Sequence, residues 1–131
     1  MATDKVAVVR KGFEAFANGD LDTLGQLFTD DIVWHSPPGD TVISGEYKGR
    51  DEVFGLFGKV FEETGGSFSQ EIHDITSSDE HVVAMVNATA GRRGKTLEIG
   101  QFVVFHFAGD KVSEVFLFTT DHEQAQEFWA P

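Results

Sequence analysis

The residues best suited to chemistry lie in a short stretch where an extended segment meets a rigid turn. Residues 32–36 are rich in β-branched and aromatic side chains and predict a strand, which Pro37-Pro38-Gly39 ends because proline lacks the amide that a sheet needs. This strand carries Trp34, His35 and Ser36 beside the turn. A polar group there can reach into a cavity while its backbone stays fixed. We therefore expect this stretch to form one wall of any site.

His35 is a candidate catalytic residue, because an unperturbed imidazole pKa of about 6.5 suits a proton shuttle. Strict alternation along the strand places His35 opposite Trp34, and a bulge before the two prolines would reverse its direction. A structural histidine on the outer face is the competing interpretation. Trp34 itself fits both a core residue and a platform for a ligand.

Asp121 is the second catalytic candidate, because it follows an apolar strand and precedes a predicted short helix. One interpretation is an N-cap for that helix, a position that aspartate favours. The other is a general base whose carboxylate points into an aromatic cavity, where burial would raise its pKa. Both interpretations hold if the side chain is shared between the two roles.

Gln101 is the most informative polar residue of a strand otherwise rich in Ile, Val and Phe. A buried amide needs hydrogen-bond partners, so Gln101 could orient Asp121, bind a ligand or pair with a side chain on a neighbouring strand. Tyr47 lies in a predicted loop before the third helix. It could gate the mouth of a cavity, although a solvated loop tyrosine is equally ordinary.

Composition excludes several classes of function. The 131 residues include no cysteine, so disulfides, thiolate metal sites and cysteine nucleophiles are absent, and they include 13 phenylalanines, which can fill a core or line an apolar cavity. The histidines form no recognisable metal pattern, and no phosphate loop or nucleophile elbow occurs, so we expect neither metal nor cofactor. No segment resembles a signal peptide or a membrane span, which favours a cytoplasmic protein.

The charge distribution bears on partners. A formal net charge of −12 disfavours binding to nucleic acid or to an anionic membrane. Arg92 and Arg93, with Lys95, form one of two small basic clusters, the other being Arg10-Lys11. The Arg92 cluster lies in a predicted hairpin turn, and solvated turn residues are its favoured interpretation.

The periodicity predicts an α+β domain spanning residues 1–131, with helices packed on a curved antiparallel or mixed sheet. Thr3 is a candidate cap for the first helix, Asn18-Gly19 ends it, and Asp20 caps the second. Residues 40–49 read as a loop, and Thr29-Asp30-Asp31 as a break between helix and strand. The predicted order is helix, helix, strand, helix and four antiparallel strands, with a short final helix over 122–129.

Three stretches carry a resemblance to a known family: ANGDLDTLGQLFTDDIVWHSPPG, SGEYKGRDEV and FHFAGDKVSEV. In this order they resemble the nuclear-transport-factor-2-like superfamily, which includes ketosteroid isomerases and SnoaL-like polyketide cyclases. The resemblance covers nearly the whole chain. It implies a cystatin-like cone in which three helices and a concave sheet enclose an apolar cavity, and often a homodimer formed through the sheet.

The resemblance argues against the steroid isomerase mechanism. Those isomerases use an acidic base before the proline of the first strand, with a tyrosine and a protonated aspartate as oxyanion donors. Alignment through GDLD and the proline turn places Ser36 at the base position, Gly12 near the tyrosine position and Val103 near the aspartate position. All three functional groups are therefore missing.

The same alignment implies which side chains face the cavity. SnoaL-like cyclases are thought to use a late aspartate as base, and Asp121 is the best match. The other implied cavity-facing residues are Trp34, Ser36, Gln101, Val103, Val115, Leu117 and Thr119. The candidate substrate-binding groups are these residues without Val115, together with Tyr47.

Two functions follow from these patterns. The first is a cofactor-independent enzyme that performs isomerisation, aldol-type cyclisation or hydration on an apolar carbonyl compound, with Asp121 as base and His35 assisting. The second is a binding or assembly module of the same fold without catalysis. The last two predicted strands are apolar on both faces, so helices could cover one face and a second subunit the other.

Overall fold

The computed structural model describes residues 4–131 and has the α+β architecture that the sequence predicts, with the four helices of the predicted order rather than the three that the resemblance implies. The elements, in chain order, are α1 (Lys5–Ala17), α2 (Leu21–Leu27), β1 (Phe28–His35), β2 (Glu46–Lys48), α3 (Gly49–Glu63), β3 (Ser69–Ser77), β4 (His81–Arg92), β5 (Lys95–Ala108), β6 (Lys111–Thr119) and α4 (His122–Phe128). Among the described residues, no helix has the length and apolar composition needed to cross a membrane.

The helices begin and end where local chemistry directs them. Asp4 caps α1 by accepting a hydrogen bond from the amide of Ala7, whereas the predicted cap, Thr3, lies outside the described residues. Gly19 follows α1 with a φ of 66°, a conformation that glycine adopts at little cost. Asp20 caps α2 as predicted, by accepting a hydrogen bond from the amide of Thr23.

All six strands form one mixed sheet in the order β2-β1-β6-β5-β4-β3. Neighbouring strands are antiparallel except β1 and β6, which are parallel. Register shifts interrupt the ladders at Ile72/Asp74 in β3 and at His106/Phe107 in β5. Bulges of this kind bend a strand, and the bending helps the sheet to curve around the helices.

The predicted loop over 40–49 is part of this sheet. It contains strand β2, which pairs with β1 and places Tyr47 opposite Trp34. The loop prediction was wrong at 46–48, because pairing with a distant strand cannot be read from local turn-forming residues. Helix α2 ends at Leu27, before the break predicted at Thr29-Asp30-Asp31, and these three residues already belong to β1.

The core lies between the inner face of the sheet and the helices. Every second residue of β4 is buried, as are alternate residues of β5 up to Phe105. Helix α3 buries Val53, Leu56, Phe57 and Val60, four positions that share one helical face. The outer face differs, because Phe102 and Phe118 remain 41% and 52% exposed.

Candidate functional site

A cavity of about 80 Å³ lies between the helices and the inner face of the sheet. One water molecule needs roughly 10–15 Å³ of such space, so the cavity exceeds a packing defect. Its apolar lining comes from three helices, three strands and the segments beside them: Phe13, Phe16, Trp34, Pro37, Ile43, Leu56, Phe57, Val60, Phe68, Leu97, Ile99, Val103, Leu117, Ala125 and Trp129. Its polar lining is Ser36, Thr41, Gln70, Gln101, Thr119 and Gln126.

Four aromatic residues separate this cavity from a second one of about 40 Å³ beneath α1 and α2. Phe13, Phe16, Trp34 and Phe57 line both cavities. The Trp34 ring meets Phe57 edge-on with centroids 5.1 Å apart, and Phe16 meets Phe57 in the same way at 4.9 Å. Edge-to-face contacts fix the rings relative to each other, so this partition is a packed wall.

Gln70 and Gln101 form the polar feature of the cavity. Gln101 is only 6% exposed, and its Oε1 accepts a hydrogen bond of 2.8 Å from Gln70 Nε2. Gln70 belongs to β3 and Gln101 to β5, so the bond passes over β4, where Gln70 stands opposite the small residue Ala88. Of the three roles predicted for Gln101, this hydrogen bond fits pairing with a side chain on a nearby strand.

The indole of Trp34 carries a polar group with no partner. Its Nε1 is buried and makes no hydrogen bond within the part of the chain that the structure describes. An unsatisfied buried donor costs about 1–3 kcal/mol. The fold tolerates this cost in the same wall that separates the two cavities.

The cavity lining lacks ionisable side chains. Among residues 4–131, no Asp, Glu, His, Lys, Arg or Tyr lines it. Nor do three or more His, Asp or Glu residues of this region come together in a metal-binding arrangement. The cavity walls therefore offer amides, hydroxyls and aromatic faces, but no group that exchanges protons near neutral pH.

The structure places Asp121 outside the cavity lining. Its carboxylate accepts a hydrogen bond of 3.0 Å from the amide of Gln124 and caps α4. The predicted orientation into the cavity is corrected here, because β6 ends at Thr119 and the inward alternation ends with it. Asp121 and Gln101 thus lie in separate environments, and a catalytic role for Asp121 stays a prediction.

His35 lies on the outer face of the sheet, opposite Trp34. Its Nε2 is 2.7 Å from Glu114 Oε2 and its Nδ1 is 3.3 Å from Glu46 Oε2. The ring stacks on Phe116 with centroids 4.2 Å apart and an interplanar angle of 6°. Two carboxylates and an aromatic face therefore hold this imidazole away from the cavity.

A groove of about 370 Å³ lies beside His35 and links the outer face to the cavity wall. Ser36, Pro37, Leu117 and Thr119 line both the groove and the cavity. His35 and His122 line the groove but not the cavity. These two imidazoles therefore lie beside residues that also line the cavity.

Tyr47 does not line the cavity. Its hydroxyl donates to the carbonyl of Ile43 at 2.9 Å, with Ser44 O at 3.3 Å as a weaker second acceptor. Burial raises the pKa of this phenol above its ordinary value. The geometry corrects the predicted gate: Tyr47 belongs to β2 and its hydroxyl holds the preceding segment in place.

The remaining predicted substrate-binding residues all line the cavity: Trp34, Ser36, Gln101, Val103, Leu117 and Thr119. Gln70 was missed, because β3 alternates only loosely and its polar residues resemble a solvated strand. Gln126 and Trp129 were also missed, since α4 was considered only as the helix that Asp121 caps. An amide in β3 two residues before the apolar Ile72 was the available signal for Gln70.

Comparison with known proteins agrees with this geometry. The chain is 31% identical to the uncharacterized protein Rv0034 of Mycobacterium tuberculosis over 124 residues, which cover 94% of each protein. Its fold is similar to that of Bal32a from a soil-derived mobile gene cassette, with a TM-score of 0.91, 36% identity and 95% of each chain covered. It is also similar to a protein of unknown function with a cystatin-like fold from Xanthomonas campestris, with a TM-score of 0.90, 26% identity and full coverage of both chains.

A family profile described as a SnoaL-like domain matches residues 9–115. This match covers α2 through β5 together with most of α1 and β6. The profile, the relatives and the mixed sheet agree with the resemblance seen in the sequence. The chain therefore belongs to the SnoaL-like domain family.

Proposed function

We propose that this protein binds a small, mainly apolar molecule in its cavity without using a cavity side chain as acid or base. One observation carries the proposal: the lining is aromatic and aliphatic, its polar members are neutral, and no described ionisable group belongs to it. General acid–base catalysis needs a titratable group within hydrogen-bond reach of the reacting atom. A binding role requires only the apolar walls and a few orienting hydrogen bonds, which is the usual composition of a ligand pocket.

Binding can be measured with N-phenyl-1-naphthylamine, an uncharged dye that fluoresces in apolar surroundings. We expect saturable fluorescence with the wild-type protein and its loss in Leu117→Trp, because Leu117 lines the cavity and a larger ring fills it. The control is Phe118→Trp, which adds an indole at the next residue on the exposed face. Equal dye binding by the two variants would contradict binding in the cavity.

The natural ligand can be sought by native mass spectrometry of the freshly purified protein, followed by solvent extraction. We expect extra mass on the wild-type protein and an uncharged apolar compound in the extract. The same purification and extraction of Leu117→Trp shows which compounds co-purify without binding in the cavity. An extract that is identical for the two proteins would count against retention of a ligand in the cavity.

Catalysis is the second candidate function, and it rests on the wall that the groove and the cavity share. A substrate that extends past Ser36 and Thr119 would meet His35, whose contact with Glu114 holds the ring in one orientation. Incubating the extracted compound with the protein tests this candidate. Product formation that His35→Gln abolishes, with dye binding unchanged, would establish it, whereas an unaltered compound would exclude it.

We also propose that two copies pair through the outer face of the sheet. Phe102 and Phe118 are cross-strand partners there, and Phe116 stacks against Phe118 with centroids 6.4 Å apart. Exposed aromatic residues on adjacent strands form a patch that a second copy can cover. In a two-fold pair the same patch comes from both copies, so aromatic side chains meet aromatic side chains and no charge is buried.

A further inference from the structure

We infer that Gln70 fixes the orientation of the Gln101 amide and thereby makes the cavity selective for uncharged ligands with a hydrogen-bond acceptor oxygen, such as ketones, esters or quinones. This inference rests on the proposed binding function and adds the class of ligand. Gln101 is the specificity residue, and Gln70 is a positioning residue that acts through it.

The first step is the amide orientation. Gln70 Nε2 donates to Gln101 Oε1 at 2.8 Å, so this oxygen is held toward Gln70 and the amide nitrogen points the other way. No described residue accepts a hydrogen bond from Gln101 Nε2, and this nitrogen is not among the buried atoms that lack a partner. It therefore keeps contact with open space. Since Gln101 is 6% exposed and lines the cavity, that space is the cavity.

The second step is the nature of the group presented. A primary amide nitrogen donates and does not accept. A ligand that places a carbonyl or ether oxygen against Gln101 Nε2 completes its hydrogen bonding, whereas a ligand that places an N–H there leaves two donors facing each other. Because an unpaired buried polar group is costly, the position that faces Gln101 Nε2 discriminates against donors.

The third step is the charge of the ligand. An anion or a cation in this cavity would lose its hydration and find no opposite charge in the described lining. Burial of an unpaired ion is far more costly than burial of a neutral polar group. The acceptor oxygen therefore belongs to an uncharged molecule.

The fourth step is geometric. Gln101 stands opposite Thr119 on β6, whereas Trp34 stands opposite Val115 on the same strand. Four residues of strand separate these levels by roughly 13 Å. The amide pair thus lies well away from the aromatic partition, and Ile99 and Leu97 continue the apolar lining on its other side. A ligand with an acceptor oxygen between apolar parts fits this arrangement.

The test uses three fused-ring probes of similar shape: 1-indanone, which only accepts, indole, which donates through its N–H, and indene, which does neither. We expect Gln70→Glu to reverse the selectivity. A carboxylate at this position can only accept, so it takes the hydrogen bond from Gln101 Nε2 and turns Gln101 Oε1 toward the cavity. Affinity for 1-indanone should fall roughly fivefold and affinity for indole rise roughly fivefold, the effect of one hydrogen bond each.

Asn87→Asp is the matched control. It adds the same charge on β4, between β3 and β5, but Asn87 is exposed and does not line the cavity. We expect its ratio of 1-indanone to indole affinity to stay within twofold of wild type. A second check is the side-chain amide NMR signal of Gln101, identified by its absence in Gln101→Leu, which should shift when 1-indanone is added to the wild-type protein.

The outcomes separate this inference from the proposed function. If all three probes bind but Gln70→Glu leaves the affinity ratio unchanged, the cavity binds apolar molecules and the role of Gln70 is wrong. A ratio of indole affinity to 1-indanone affinity that is higher for the wild-type protein than for Gln70→Glu would show that Gln101 presents its oxygen to the cavity. That result would also overturn the inference. Failure of indene and 1-indanone to bind at their solubility limits would overturn both proposals.

Discussion

Arg92 Nη2 lies 2.7 Å from Glu63 Oε1, and the Arg92 side chain is only 1% exposed. The same guanidinium donates through Nη1 to the carbonyls of Phe128 and Ala130, each at 2.8 Å. One buried cation thus joins the end of α3, the end of β4 and the segment after α4. The solvated turn expected for Arg92 is wrong, whereas Arg93 is exposed in the turn.

Arg92→Met should destabilise the fold by about 3 kcal/mol, the lower end of the range for breaking a buried ion pair, because Glu63 retains access to water. The free energy of unfolding in urea measures this effect. Arg93→Met is the matched control and should change that free energy by less than about 0.5 kcal/mol, as surface substitutions usually do. Similar losses for the two variants would show that the contacts of Arg92 contribute little.

Acidification should weaken the same contact. The hydrogen bond from Arg92 and its positive charge hold the pKa of Glu63 below its ordinary value of 4.5. A carboxyl whose pKa is lowered by folding stabilises the fold fully above its unfolded pKa, and this contribution is lost as the pH falls through the folded pKa. The free energy of unfolding of Glu63→Gln should therefore decrease less between pH 6 and pH 3 than that of the wild-type protein. Parallel pH profiles for the two proteins would contradict this assignment.

The variant Asp121→Asn distinguishes the role of Asp121 as the N-cap of α4 from its predicted role as a general base. Asparagine caps helices about as well as aspartate, so this variant should keep the wild-type free energy of unfolding and dye binding. Asp121→Ala removes the side-chain oxygen that accepts from Gln124 and should cost about 1 kcal/mol. Loss of turnover of an identified substrate in Asp121→Asn, with stability unchanged, would instead favour the predicted catalytic role.

The proposed dimer has its own test. Phe118→Glu places a charge in the exposed aromatic patch, and burying it against a second copy would be costly. Light scattering after size exclusion should show a dimer for wild type and a monomer for this variant. Leu21→Glu, at another exposed apolar residue on α2, should remain dimeric. A monomeric wild-type protein at micromolar concentration would contradict the pairing.

The fold was largely predictable because its signals are local. Asp20 before an apolar periodic segment, Gly19 after α1 and alternating strands with short turns each act over a few residues. Strand β2 and the parallel pairing of β1 with β6 depend on contacts between distant segments, which local patterns do not report. The overall order of elements nevertheless limits the possible sheets to a few.

The candidate site was only partly predictable, because alternation holds only while a strand continues. It placed Trp34 and Ser36 on one face and His35 on the other, in agreement with their observed positions. It failed at Asp121, since β6 ends two residues earlier. The same rule could have found Arg92, because the buried positions of β4 recur at every second residue from Val82 to Arg92.

The parallel pairing of β1 with β6 has a consequence for synthesis on the ribosome. Trp34 pairs with Val115, so β1 emerges long before its partner strand exists. At 5–20 residues per second, the interval is roughly 4–16 s. Throughout that time, β1 lacks the strand that joins it to β5, β4 and β3. Slowing elongation should therefore increase aggregation of the nascent chain.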